Sequence, residues 1–83
     1  MQVRVLFFGI LKDAAGRESE VLPVVEGATA SSVVEHYAAA MALAPGLWQS
    51  VAFAVNQHYC LPNQVLREGD EVALLPPVSG GRV

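Results

Sequence analysis

Cysteine, basic residues and long apolar runs are all scarce here, and each scarcity excludes a class of protein. A single cysteine, Cys60, cannot form an intramolecular disulfide framework. Lys and Arg number five, scattered as Arg4, Lys12, Arg17, Arg67 and Arg82, and the formal net charge is −3. Nucleic-acid binding needs clustered cations to neutralise phosphates, so no nucleic-acid partner is expected. No apolar run approaches the roughly 20 residues that span a bilayer, so no membrane association is expected either. The sequence runs straight into a strand pattern, without the basic region and apolar stretch of a secretory signal, and a cytoplasmic location is the expectation. There is no Walker-type loop: Ser79-Gly80-Gly81 has no Lys-Ser pair and no helix behind it. Repeats, linkers and low-complexity segments are absent.

Apolar residues, by contrast, are plentiful. They make up 53% of an 83-residue chain, against 16% charged residues. One small domain with a modest core is expected, with apolar material left for an exposed patch. The acidic residues gather loosely at Glu18, Glu20 and Glu26, then at Glu68, Asp70 and Glu71. Solvated loops and strand edges account for them.

Gln2 to Phe8 alternates, with Val3, Val5 and Phe7 on the core face and Gln2, Arg4, Leu6 and Phe8 opposite. Gly9 ends this strand. Ile10, Leu11, Ala14 and Ala15 fall at helical spacing before Gly16, a C′ residue, and predict a short helix. Ser19 to Val25 reads as a second strand, with Val21, Pro23 and Val25 in one row and Leu22 and Val24 in the other. Alternation does not say which row is buried, but Pro23 places the strand at a sheet edge. Thr29, Ser31 and Ser32 offer N-caps for the main helix, and Ser32 with Glu35 fits a capping box. Val33, Tyr37 and Met41, with Val34 and Ala38, form its apolar stripe. Ala44-Pro45-Gly46 closes the segment, and Leu47 and Trp48 are expected under the following loop. Val51 to Val55 is apolar on both faces and reads as the central strand. Asn56-Gln57-His58 turns, Tyr59-Cys60-Leu61 is a brief strand, and Val65-Leu66 adds a core contact before the turn Glu68-Gly69-Asp70. Periodicity alone gives an α+β domain with one main helix.

Conventional site chemistry finds little support. His36, His58 and Cys60 do not make a metal site, which needs several ligands at suitable spacings. Cys60 as a nucleophile has only His58 near it and nothing to complete a triad. Cys60 is therefore expected in the core.

The C-terminus remains. Val72 and Leu74 alternate with Glu71 and Ala73 as a strand, and Pro76-Pro77 stops it, since proline gives no N–H to a ladder. Ser79, Gly80 and Gly81 bury too little to offset their ordering entropy. Residues 1–77 are thus expected as the domain and 78–83 as a flexible tail. Glycine without Cβ can thread a narrow channel, and the Pro-Pro stem keeps the tail off the domain.

Asn56-Gln57 after an apolar strand, Glu68-Gly69-Asp70-Glu71-Val72, Pro76-Pro77-Val78-Ser79-Gly80-Gly81 and the opening Val5-Leu6-Phe7-Phe8-Gly9 resemble the small sulfur-carrier subunit of molybdopterin synthase, across nearly the whole chain. The resemblance implies a ubiquitin-like β-grasp fold: a mixed sheet on one main helix plus a short helix. It implies that an adenylating enzyme, similar to those that activate ubiquitin, acts with ATP on the terminal glycine, Gly81. Sulfur from a donor is then installed as a thiocarboxylate. The large synthase subunit, in an expected heterotetramer, takes the tail Pro77, Val78, Ser79 and Gly80, and the sulfur passes to a pterin precursor. The carrier itself would bind no cofactor or metal, and catalytic groups would lie on the partner.

This chain departs from the family pattern in carrying Arg82 and Val83 after Gly-Gly. Trimming after Gly81, a tolerated extension, or loss of the carrier role would each account for it; trimming is the expectation taken forward. A second clue is a possible apolar surface. If the first and last strands neighbour, Leu6, Phe8, Ala73 and Leu75 lie beside the tail's exit, and the resemblance adds Tyr59 to that partner surface. Alternatively, Leu6 and Phe8 pack under the short helix. On the first reading Phe8→Asp or Leu75→Asp weakens partner binding and spares the fold. Carriers for thiamine, cysteine or tRNA thiolation share the tail, and a ubiquitin-like modifier or binding module is the reading from another class.

Overall fold

The computed structural model describes residues 1–41, 43 and 45–77. In chain order these form β1 (Gln2–Phe7), α1 (Gly9–Ala15), β2 (Ser19–Pro23), α2 (Ala30–Ala40), α3 (Pro45–Gln49), β3 (Ala52–Val55), β4 (His58–Tyr59) and β5 (Glu71–Leu75). One mixed five-stranded sheet has the order β2-β1-β5-β3-β4. β1 and β5 are parallel, while β1–β2, β3–β5 and β3–β4 are antiparallel.

The strand alternation of β1 is realised as read: Val3, Val5 and Phe7 are buried and Gln2 and Arg4 are exposed. They meet Leu22 of β2, Val72 and Leu74 of β5, Leu11 of α1, and Val33 and Tyr37 of α2 in one core. The Phe7 and Tyr37 rings meet edge to face, with centroids 5.0 Å apart. Burying such side chains stabilises by about 1.5–3 kcal/mol each. The sheet grasping α2 over this core is the β-grasp architecture.

Several local expectations shift, each for a physical reason. The centre of the sheet is β5, and β3 lies one place outward. The apolar-on-both-faces pattern of β3 reflects an apolar outer sheet face rather than a central position. The main helix is capped by Thr29, not by a Ser32–Glu35 box. The Thr29 N–H donates to Ser32 Oγ at 3.0 Å and the Ser32 N–H to Thr29 Oγ1 at 3.4 Å. The helix starts early because the loop before β5 satisfies its first donors: the Ala30 N–H donates to the Gln64 carbonyl and that of Ser31 to the Pro62 carbonyl. Ala38, expected in the apolar stripe, is exposed.

β2 ends at Pro23 and is an edge strand as expected, with Met1 and Val24 exchanging backbone hydrogen bonds just beyond it; its buried row is that of Leu22. Pro45 opens the short helix α3 rather than closing the previous one, since a missing N–H costs nothing in a first turn. Leu47 and Trp48 of α3 are half-buried against the core. The short α1 ends as predicted, with Gly16 left-handed at φ 73°.

Asn56 and Gln57 both have positive φ, a two-residue hairpin turn that brings the chain back at once. β4 is therefore His58–Tyr59 instead of Tyr59–Leu61. Cys60 consequently falls past the strand end and is half-buried at the rim, not in the core.

Candidate functional site

The parallel register pairs Leu6 with Ala73 and Phe7 with Leu74, so the first and last strands are direct neighbours. Antiparallel register then sets Ala52 opposite Leu75, Ala54 opposite Ala73, and Tyr59 opposite Ala54. Strand partners share a face. The outer face of the sheet thus carries a low floor of Ala52, Ala54 and Ala73, with Leu6, Leu75 and Tyr59 standing along it. Phe8, 43% exposed, and Tyr59, 78% exposed, rise at its two sides. Phe8, Ile10, Leu47, Tyr59, Leu75, Pro76 and Pro77 line one open hollow of about 900 Å³, and among the described residues none of its lining is charged.

This hollow opens where β5 gives way to Pro76-Pro77, so the expected patch and the chain exit coincide. The structure brings Phe8, Tyr59, Leu75 and Pro77 together. Phe8, the N-cap of α1, is not packed under that helix, whereas Leu6 is half-buried beside Lys12 of α1. Leu75 is half-buried in the central strand, so Leu75→Asp would disturb the fold as well as the surface; Phe8→Asp is the cleaner probe. Val78, Ser79, Gly80 and Gly81, together with Arg82 and Val83, lie outside the described residues.

Sequence reasoning missed Ile10 and Leu47 as lining residues. Ile10 was assigned to helical spacing, but it is 50% exposed and turned to the hollow, while Leu11 takes the buried place. A shift of the apolar phase by one position, with two adjacent large aliphatics, was the available signal.

The motif residues outside the hollow act as braces. The Asn56 carboxamide donates to Asp70 Oδ1 at 3.0 Å and accepts from the Glu71 N–H at 3.0 Å, while its own N–H donates to the Glu71 carbonyl at 2.8 Å. Asp70 Oδ2 accepts from the Arg67 N–H at 2.8 Å. Asn56 thereby ties the β3–β4 hairpin, which carries Tyr59, to the start of β5, which carries Leu75 and the exit. Glu68 Oε1 accepts from the Gln2 N–H at 3.1 Å, fixing the same turn against β1. These acids are structural acceptors as well as solvated groups.

His58 and Cys60 line a second hollow with Asn56, Arg67 and Asp70. Among the described residues no group of three or more His, Cys, Asp or Glu could hold a metal ion. Burial pushes the Cys60 thiol pKa up, offset in part by a hydrogen bond with the backbone of Val55, which is the wrong direction for a nucleophile at neutral pH. Among the described residues, no helix is long and apolar enough to cross a membrane.

Comparison with known proteins agrees with this geometry. The ThiS family matches residues 5–81. The molybdopterin synthase sulfur carrier subunit of Chlamydomonas reinhardtii is 34% identical, over 98% of this chain and 100% of that protein. A chain in the complex of subunits 1 and 2 of molybdopterin-converting factor from Helicobacter pylori is 28% identical, with a TM-score of 0.64 over 98% of this chain and 100% of that one. The small archaeal modifier protein 1 of Haloferax volcanii shares the fold, with a TM-score of 0.77 at 21% identity, over 93% of this chain and 98% of that one.

Proposed function

The chain belongs to the ThiS family, and from that premise we propose that it is the sulfur-carrier subunit of a molybdopterin synthase. One observation carries this reading beyond the likeness: an uncharged, apolar face of Phe8, Tyr59 and Leu75 adjoins the point where the chain leaves the central strand. A partner docked there is placed to take the C-terminus into its own active site. The partners are an adenylating enzyme and, separately, the large synthase subunit, with which the chain forms a heterotetramer.

Chemically, a carboxylate is inert toward nucleophiles until activated. In the proposed sequence the Gly81 carboxylate attacks the α-phosphorus of ATP on the adenylating partner, and pyrophosphate leaves. Sulfide-level sulfur from a donor then displaces AMP, leaving Gly81 as a thiocarboxylate. That sulfur displaces an oxygen substituent from a carbon of the pterin precursor on the large subunit, forming a thioester, and hydrolysis of its acyl–sulfur bond returns the carboxylate and leaves the sulfur on the pterin. The carrier supplies the covalent sulfur; acid and base groups come from the partners. Arg82 and Val83 are removed first, because a branched Val83 carboxylate fits a glycine-width channel poorly.

The test uses the full chain and a form ending at Gly81, each incubated with the adenylating enzyme, ATP and a sulfur source. A mass gain matching replacement of one oxygen by sulfur at Gly81 is expected for the shorter form. An isopeptide to a lysine in its place would assign the chain to the protein modifiers, and no gain in the shorter form would make it a ubiquitin-like binding module. Intact mass from the native host checks trimming: only full-length chain in a host making active cofactor overturns it.

A further inference from the structure

The last registered pair of the parallel strands is Phe7 with Leu74. Beyond it the two segments part, Phe8-Gly9 turning into α1 while Leu75 stays paired with Ala52 of β3 and Pro76-Pro77 follow the strand's end. At this fork Gly9 has φ +56°, and a Cβ placed on it would stand 3.0 Å from Pro76 Cγ. Ordinary carbon–carbon contact is about 3.5–4.0 Å, so the Pro76 ring occupies the space a side chain would need. The left-handed turn alone does not account for this. Gly16, Gly27 and Gly69 also have positive φ, yet nothing lies within 4 Å of where their Cβ would be.

We propose that Gly9 is a positioning residue for the chain end: its bare Cα seats the Pro76 ring, and this contact sets the direction in which the C-terminal segment leaves the sheet. The inference rests on the carrier reading above. A proline is suited to such a seat because its ring is fused to the backbone, so holding the ring holds the φ of the stem itself. Flexible side chains at position 76 would absorb a displacement; a pyrrolidine passes it on. Gly9 touches no reacting group; it lines the hollow beside Pro76, and its positioning role runs through the Pro76 ring.

The test compares three variants with the parent chain, in whichever of the two forms accepts sulfur. Gly9→Asn keeps a residue tolerant of left-handed φ but puts a Cβ into the seat. Pro76→Ala empties the seat from the other side. Each is expected to lower kcat for sulfur loading about tenfold through misplacement of the terminus, a loss separate from any change in KM that follows from Gly9 and Pro76 lining the hollow. The double variant is expected to be no slower than the slower single one, because both act through one contact.

A rise in KM with kcat intact would make Gly9 merely part of the docking face and overturn the proposal. So would multiplying losses in the double variant, or a wild-type kcat in Pro76→Ala, which also decides the matter should Gly9→Asn fail to fold. Failure of the parent chain to load sulfur in either form would instead sink the carrier reading, and this inference with it.

Discussion

Tyr37 joins the core to the surface through a single hydroxyl. Its ring is buried against Phe7, while its O–H donates to Glu20, which also takes Arg17 Nη1 at 2.6 Å. Burial pushes the Tyr37 pKa well above the ordinary phenol range; the bond to Glu20 and that carboxylate's charge add to the shift, and Arg17 opposes it. Below the unfolded-state phenol pKa, near 10, both states are protonated and the contribution is fully present. Above it the unfolded chain loses a proton that the native state keeps, so stability falls as pH rises toward the folded value. Tyr37→Phe is expected to cost about 1–2 kcal/mol at pH 7 in urea denaturation, and to flatten the loss of stability above about pH 10. An identical alkaline slope in both proteins would remove the role given to the hydroxyl. At this scale the sequence was half legible. Tyr37 stood in an apolar stripe at helical spacing and was read as core. Its partner was not readable, because Glu20 lies on another element and only the packing of α2 on the sheet brings the two together.

At the scale of the element, the start of α2 shows how a neighbour moves a boundary. Ser32 and Glu35 had the right spacing for a box, and so did Thr29 and Ser32. Local chemistry could not choose between them; the carbonyls of Pro62 and Gln64 did, by accepting from the Ser31 and Ala30 N–H groups. Thr29→Ala is expected to cost about 1 kcal/mol in thermal or urea unfolding, and Glu35→Ala less than about 0.5 kcal/mol. The reverse order would restore the later cap. β4 was misplaced for a related reason: the strand signal of Tyr59-Cys60-Leu61 was real, but two consecutive positive φ values returned the chain a residue sooner. By contrast β1, with strict alternation and no competing partner, and α1, closed by Gly16, were read within a residue.

For the whole molecule, composition and periodicity gave α+β with one main helix. The adjacency of β1 and β5 is a long-range, parallel pairing that no local pattern encodes; resemblance supplied it, and the outer patch was legible only conditionally upon it. The docking reading belongs at this scale. Phe8→Asp places a charge among described lining residues that carry none and leaves the core untouched, so binding to the large subunit is expected to weaken at least tenfold by calorimetry with little change in melting temperature. Unaltered affinity would mean the partner approaches elsewhere.

The central position of β5 has a mechanical corollary. The strand that precedes the chain end is laddered on both flanks, to β1 on one side and β3 on the other. Tension drawn through Pro76-Pro77 therefore loads both ladders in shear, many bonds at once, instead of peeling an edge strand one bond at a time. A pull along Pro76-Pro77 is thus resisted by β1 and β3 together.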